Sequence, residues 1–307
     1  MRSAQRKQRL QGKVRQGKAL FFFKILVIPI LLLILFLVVK LSTKYWNGFD
    51  KFSYVYRNTS GDAVVTVLDP KLGDSTTFII PGDTQVDVVG NYGTLKIKNV
   101  WQLSMNEKKG GKLLSGTVTK NFLFPVFLWS DSDAESVGHG NIPGIFKFII
   151  SPKNTNIPLG DRLSMAFFAL NVKGINRTEI DLAKSQFLKK SQLNDGTVGY
   201  TLSGPVSTRL TVYFSDNVFA DKSMKVEIID QSGEGSADTV GAILQVMGGK
   251  VVSVQKNTGS VNFDCLVLGS DLGTIRKIAT LFSCKISEEK SVFDLEIRLG
   301  EGFAKRF

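Results

Sequence analysis

The sequence predicts an α+β protein in three parts: an N-terminal transmembrane helix, a mixed α/β module outside the membrane, and a C-terminal β-α-β-β-α-β two-layer sandwich. Three observations carry this. A 21-residue apolar run follows a strongly basic tail. Short β-branched and aromatic runs, separated by Asn, Asp, Gly and Pro, begin soon after it. The final segment alternates strand and helix periodicities in a fixed order.

Composition sets the outer limits. A chain of 307 residues, 43% hydrophobic and 21% charged, is ordinary globular material with room for one or two folded domains besides an anchor. The formal net charge of +12 is concentrated at one end. Residues 1 to 51 hold 11 Lys and Arg against the single acid Asp50, leaving 28 against 26 in the rest of the chain. A nearly neutral folded part removes the main argument for nucleic acid as a partner.

Residues 1–18 form a basic cytoplasmic tail with Arg2, Arg6, Lys7, Arg9, Lys13, Arg15 and Lys18 and no acid. This excess holds a flank inside and contacts anionic lipid. Residues 19–40 form the signal-anchor. The run from Ala19 to Val39 reaches about 31 Å as a helix, enough for a hydrocarbon core of about 30 Å. Lys24 must snorkel toward the headgroups, and Pro29 is tolerated as a kink. A cleaved signal peptide is the alternative, but KLSTKYWNGF after Val39 holds no small-x-small site. The expected location is therefore a single-pass cell-membrane protein, N-terminus cytoplasmic, with the C-terminal part outside.

Residues 41–51 read as a stalk, with Tyr45 and Trp46 where interfacial aromatics are common. Strands are expected over 52–56, 63–68, 76–80 and 85–89. A helix from 112 leads into a buried stretch up to 128, and a long loop is expected around 146–150 because 130–156 is rich in Ser, Asp, Gly, Pro and Asn. Helix periodicity returns at 159–171. Strands follow at 180–182 and 199–202, with a short apolar turn at 211–214. These make up a region from 52 to 222.

The final unit, 223–307, is the clearest. A strand over 225–229 precedes a helix over 237–247 with Val240, Ile243, Leu244 and Met247 on one face. Strands at 251–254 and 263–268, a helix at 271–283 and an alternating strand through Phe293, Leu295, Ile297 and Leu299 complete it. The order predicts a ferredoxin-like sandwich with both helices on one face. Cys265 and Cys284 are candidates for a disulfide. The first lies near the start of a strand, and the following helix descends about 18 Å to return the second to the same level. Two buried free thiols are the other reading.

"KVEIIDQSGEGSADTVGAILQVMGGKVVSVQKN", "TIRKIATLFSC" and "FDLEIRLGEGF" resemble the LytR C-terminal domain of bacterial envelope proteins. Its strand ends in an Asn-Gly-Thr-Gly-like turn, here Asp230-Gln231-Ser232-Gly233, and its closing strand in a Leu-Gly-Glu-Asp-Phe-like ending, here Leu299 to Phe303. The preceding "VVTVLDPKLGDSTTFIIPGDTQVDVVGNYGTLKIKNVWQL" resembles the opening of the LytR-CpsA-Psr domain, which transfers glycan polymers from a lipid pyrophosphate carrier to the cell wall. That resemblance implies Asp83 as a retained functional carboxylate and Asn99 near the family's Asn. It also implies an Arg before the Asp, a bidentate cation for pyrophosphate, where this chain has Gly82. The family's later Arg segments have no counterpart between Gly110 and Ser223.

Other candidate chemistry is thin. His139, the only histidine, lies in a loop-like Ser-Val-Gly-His-Gly-Asn context with no second ligand in sequence, so no metal site is expected. Gly233, Gly235 and Gly241 could cradle phosphate, but Asp230, Glu234 and Asp238 would repel it, and turn formation explains the glycines better. Asn58-Thr59-Ser60 and Asn176-Arg177-Thr178 are glycosylation triplets, which mean little in a bacterium. No cofactor is expected. The sequence thus points to a membrane-anchored envelope protein that binds or organises cell-surface glycan or envelope partners without catalysis. The alternative is a divergent phosphotransferase working through Asp83. A sensor of wall state ranks last, because no cytoplasmic domain follows the tail.

Overall fold

A computed structural model describes residues 27, 30, 44–150, 152–204, 208–216, 219–220, 223–257 and 261–307. The expected anchor falls almost wholly outside the described residues. Among those residues, no helix is long and apolar enough to cross a membrane.

The chain enters the fold at Trp46, whose indole stacks on Phe52 at 5.6 Å between centroids. Strands β1 (Phe52–Arg57), β2 (Ala63–Asp69) and β3 (Asp74–Ile80) form an antiparallel meander. Asn58 closes the first turn, accepting from Asp62 N and donating to Asp62 Oδ2. A small ribbon follows, β4 (Gln85–Val88) with β5 (Gly93–Lys96), then helices α1 (Ile97–Asn106) and α2 (Lys112–Phe122). Leu123 ends α2 in the left-handed conformation, so the helix expected to lead toward 128 stops there and the chain extends into β6 (Leu128–Ser130).

The segment expected to be a loop around 146–150 is helical: α3 (Glu135–His139) and α4 (Ile142–Ile150) occupy it. The flanking Asn, Gly and Pro terminate these helices, while Ile145 and Phe148 supply the buried face that holds α4 in place. Next come α5 (Leu159–Asn171), β7 (Arg177–Asp181), a hairpin of β8 (Leu188–Gln192) and β9 (Val198–Leu202), and α6 (Thr208–Phe214), a helix where a turn was expected.

The sheet order is β6-β1-β2-β3-β7, with both outer strands parallel to their neighbours. Helices cover both faces, which explains why β2 is buried along its whole length. Phe52, Tyr54, Tyr56, Val64 and Leu68 meet α3, α4 and α5 on one side. Val55, Val65, Val67, Phe78 and Ile80 meet α1, α2 and α6 on the other.

The second sheet contains β10 (Lys225–Asp230), β11 (Lys250–Lys256), β12 (Cys265–Gly269), β13 (Lys285–Ile286) and β14 (Leu295–Leu299), in the order β11-β10-β14-β12-β13. Helices α7 (Ala237–Val246) and α8 (Leu272–Phe282) pack on the single face made by Val226, Ile228, Val267, Leu295 and Ile297. The two-layer arrangement is therefore present, but the ferredoxin-like pairing is not. β11 lies parallel beside β10, because α7 carries the chain back across the sheet as a crossover. The closing strand β14 sits parallel to β10 and antiparallel to β12.

Ser283 ends α8 in the left-handed conformation. Beyond it Cys284 and Cys265 are bridged, with Cα atoms 4.9 Å apart. A last helix, α9 (Glu301–Arg306), lays Phe303 against Phe282 and Phe307. One apolar cluster runs from the first sheet through Phe127 and Phe219 into the second.

Candidate functional site

Asp83 lies in the Pro81–Thr84 turn at the end of β3, held by backbone on three sides. Lys98 N donates to Gly82 O at 3.0 Å, Ile97 N to Thr84 O at 2.8 Å, and Tyr200 N to Asp83 O at 3.1 Å. Its carboxylate is half exposed and paired with Lys98 Nζ at 2.6 Å. A Cβ added at Gly82 would stand 3.0 Å from Gly61 O and 3.2 Å from Lys98 Cβ, so an arginine stem at that position would start in occupied space. Asn99 is exposed in the first turn of α1.

Two later arginines are committed to backbone. The Arg177 guanidinium donates to the carbonyls of Val137, Gly138, Ala169 and Val172. Arg162 Nη1 donates to Phe148 O and Ile149 O. Both cations thus satisfy orphan carbonyls at helix C-termini.

A different place gathers positive charge. Between the two sheet units lies a cleft of about 1050 Å³, lined by Lys44, Lys109, Lys112, Arg276, Lys305 and Arg306 and by no Asp or Glu. Its apolar wall includes Leu113, Phe127, Trp129, Leu281 and Phe307. Trp129 is fixed by Gly110 and Gly111: a Cβ at either would fall 2.3 Å or 2.6 Å from its ring atoms, so only glycine admits the indole there.

Four of the six cations have local partners, Lys44 through its ammonium 5.1 Å from the centre of the Tyr45 ring. Arg306 Nε donates to Asp264 Oδ1 at 2.8 Å, Lys305 pairs with Glu301, and Lys109 Nζ donates to Tyr92 Oη at 3.0 Å. Among the described residues, Lys112 and Arg276 have no carboxylate partner. Burial and the neighbouring Arg306 push the Lys112 ammonium below the usual lysine range; Asp264 pulls the other way and Lys109 adds to the depression. Lys112 also opens α2, where the positive end of the helix dipole disfavours a cation. With Arg276, which has no carboxylate partner among the described residues, Lys112 sets positive charge beside the apolar wall.

The fold is similar in part to solved LytR-CpsA-Psr proteins. The crystal structure of B. subtilis TagT is 13% identical with a TM-score of 0.36, over 52% of this chain and 87% of that one. A LytR-CPS2A-psr family protein, YwtF (TagT), with bound octaprenyl pyrophosphate lipid gives the same figures. A structure from Enterococcus faecalis titled transcriptional regulator EF0465 is 11% identical with a TM-score of 0.36, over 65% and 88%. No protein-family model matches the chain, and no curated protein matches it.

The remaining candidates are structural. His139 ends α3, its Nδ1 3.1 Å from Glu135 O and its Nε2 3.4 Å from Glu179 Oε2. Among the described residues, no cluster of His, Cys, Asp or Glu could hold a metal. At Gly233 and Gly235 the N-terminus of α7 is already occupied: Asp230 accepts from Ser232 N and Ala237 N at 2.9 Å each. A carboxylate sits where a bound phosphate would have to go. Sequence reasoning missed the cleft cations, since they come from four separate segments. The only local signals were the paired bases Lys108-Lys109 and Lys305-Arg306.

Proposed function

We propose that this chain is a non-catalytic, single-pass protein of the cell envelope that holds an anionic cell-surface glycan in the cleft between its two sheet units. The observation that supports this reading is a cleft lined by six cations and an aromatic and aliphatic wall, with no acid among its lining residues. Such a site attracts phosphate or carboxylate groups through charge-assisted hydrogen bonds. No carboxylate or imidazole is among the residues that line it, which favours binding over acid–base chemistry. Asp83, the residue a transferase would use, is paired with Lys98 and is not among the residues that line the cleft. The LytR-like character of the C-terminal unit, the N-in topology and contact with envelope partners belong to the same reading.

The test is titration of the full chain, in nanodiscs, with a glycerol-phosphate oligomer and with a neutral oligosaccharide of equal length. Saturable, salt-sensitive binding of the first alone is expected, abolished in Lys112→Glu/Arg276→Glu. Equal affinity for both ligands, or an unaffected double variant, would sink the proposal. Turnover of a lipid-pyrophosphate-linked glycan that vanishes in Asp83→Ala would establish the phosphotransferase instead.

A further inference from the structure

Helices α4 and α5 carry an apolar surface that no part of the described chain covers. On α4, Ile142, Phe146 and Ile150 recur at helical spacing; on α5, Leu159, Phe167 and Leu170 do the same. All six are between 49% and 77% exposed. The opposite faces, through Ile145 and Phe148 on α4 and Met165, Ala166 and Ala169 on α5, pack on one side of the first sheet, so the two stripes look outward together. They expose on the order of 600 Å² of apolar surface, the upper end of what monomers tolerate.

The path of the chain says what covers it. Asp161, in the first turn of α5, accepts from the backbone N–H groups of Lys44, Tyr45 and Trp46 at 3.1–3.4 Å. The segment leaving the apolar run is therefore clamped two residues from Leu159. From Val39 to Lys44 the chain can span at most about 18 Å. A bilayer holding that run thus lies within reach of the N-terminal end of α5 and the adjoining end of α4. Lys44 and Lys153 are exposed around this end, as suits a surface of anionic headgroups, while Lys147 beside them is paired with Asp133 at 2.7 Å.

We propose that the outward faces of α4 and α5 form a second membrane contact, seated at the headgroup and acyl boundary of the bilayer that holds the anchor. This rests on the anchoring in the reading above and adds to it an oriented, surface-lying body. It would turn a tethered domain into one held against the membrane by two attachments.

The test reconstitutes full-length chains carrying an added tryptophan into phosphatidylglycerol/phosphatidylcholine vesicles with acyl-brominated lipid. The emission that Phe146→Trp adds to that of the three native tryptophans should lie to the blue and lose about twofold in intensity, since an interfacial helix buries its apolar face about 5–10 Å into the boundary. Gln102→Trp, exposed on α1 across the sheet, should match the wild type. A protein that floats with the vesicles while Trp at 146 stays unquenched would overturn the proposal and leave the anchor intact. Blue-shifted but unquenched emission would place the stripes against protein and overturn it equally. A chain that does not float with the vesicles would overturn the anchoring, and this inference with it.

Discussion

Replacing Lys112 with methionine should stabilise the unliganded protein and weaken its hold on an anion. In the free fold this ammonium, though exposed at the cleft, is partly desolvated, faces Arg306 and starts a helix, so its charged form is disfavoured. Its folded pKa is lowered, so the unfolded chain holds the proton more tightly. The charge therefore subtracts from stability, and stability recovers as pH rises through the lowered value. Because the group is half exposed, the cost is discounted for solvent to about 0.5–1 kcal/mol, or a Tm gain of roughly 1–4 °C. A charge-assisted hydrogen bond contributes about 1.5–3 kcal/mol, discounted here to about 1–2 kcal/mol, or roughly 5–30-fold in affinity. Calorimetric melting and isothermal titration with a glycerol-phosphate oligomer read the two effects separately. A bound anion favours the ammonium, so binding takes up protons and affinity should fall as pH rises toward the lowered pKa, while Lys112→Arg flattens that profile. Destabilisation by Lys112→Met, or unchanged affinity, would refute the reasoning.

Three further outcomes are expected. Thiol titration of the denatured, unreduced protein should find no free thiol, and reduction should cost about 3 kcal/mol for a bridge closing a loop of this length; two thiols per chain would end the disulfide. Asp161→Ala strips the shared acceptor from three backbone N–H groups and should lower stability by about 2–3 kcal/mol in chemical denaturation, with Trp46 emission shifting red as its packing loosens. A reporter fused after Phe307 should be active only outside the cytoplasm, and protection of that terminus from protease in wall-stripped cells would reverse the topology.

Much of the fold was legible because its elements carry local periodicity. Strands β1 to β4 show as short apolar runs between turn residues, and α7 and α8 as stripes at helical spacing. Helix α1 is not marked in the sequence by a capping side chain, an acid in its first turn or a base in its last, and only its buried face of Ile97, Val100, Trp101 and Ser104 signals it after a run of strands. Helix α4 was misread as loop, since Asn141, Pro143 and Gly144 weaken local helix propensity and packing of Ile145 and Phe148 decides the matter.

The sequence by itself determined the charge asymmetry, the apolar run, the main strands and two long helices of the final unit, though not the short β13 and α9, and the absence of an arginine before Asp83. Each is a property of neighbouring residues. Pairing in the second sheet was decided only in three dimensions, because a β-α-β-β-α-β order is compatible with more than one crossover geometry. The cationic cleft was decided there as well. Lys44, Lys112, Arg276 and Arg306 are dilute along a nearly neutral chain, and the fold brings α2, α8 and α9 to the walls of one cleft, which gathers them into one field.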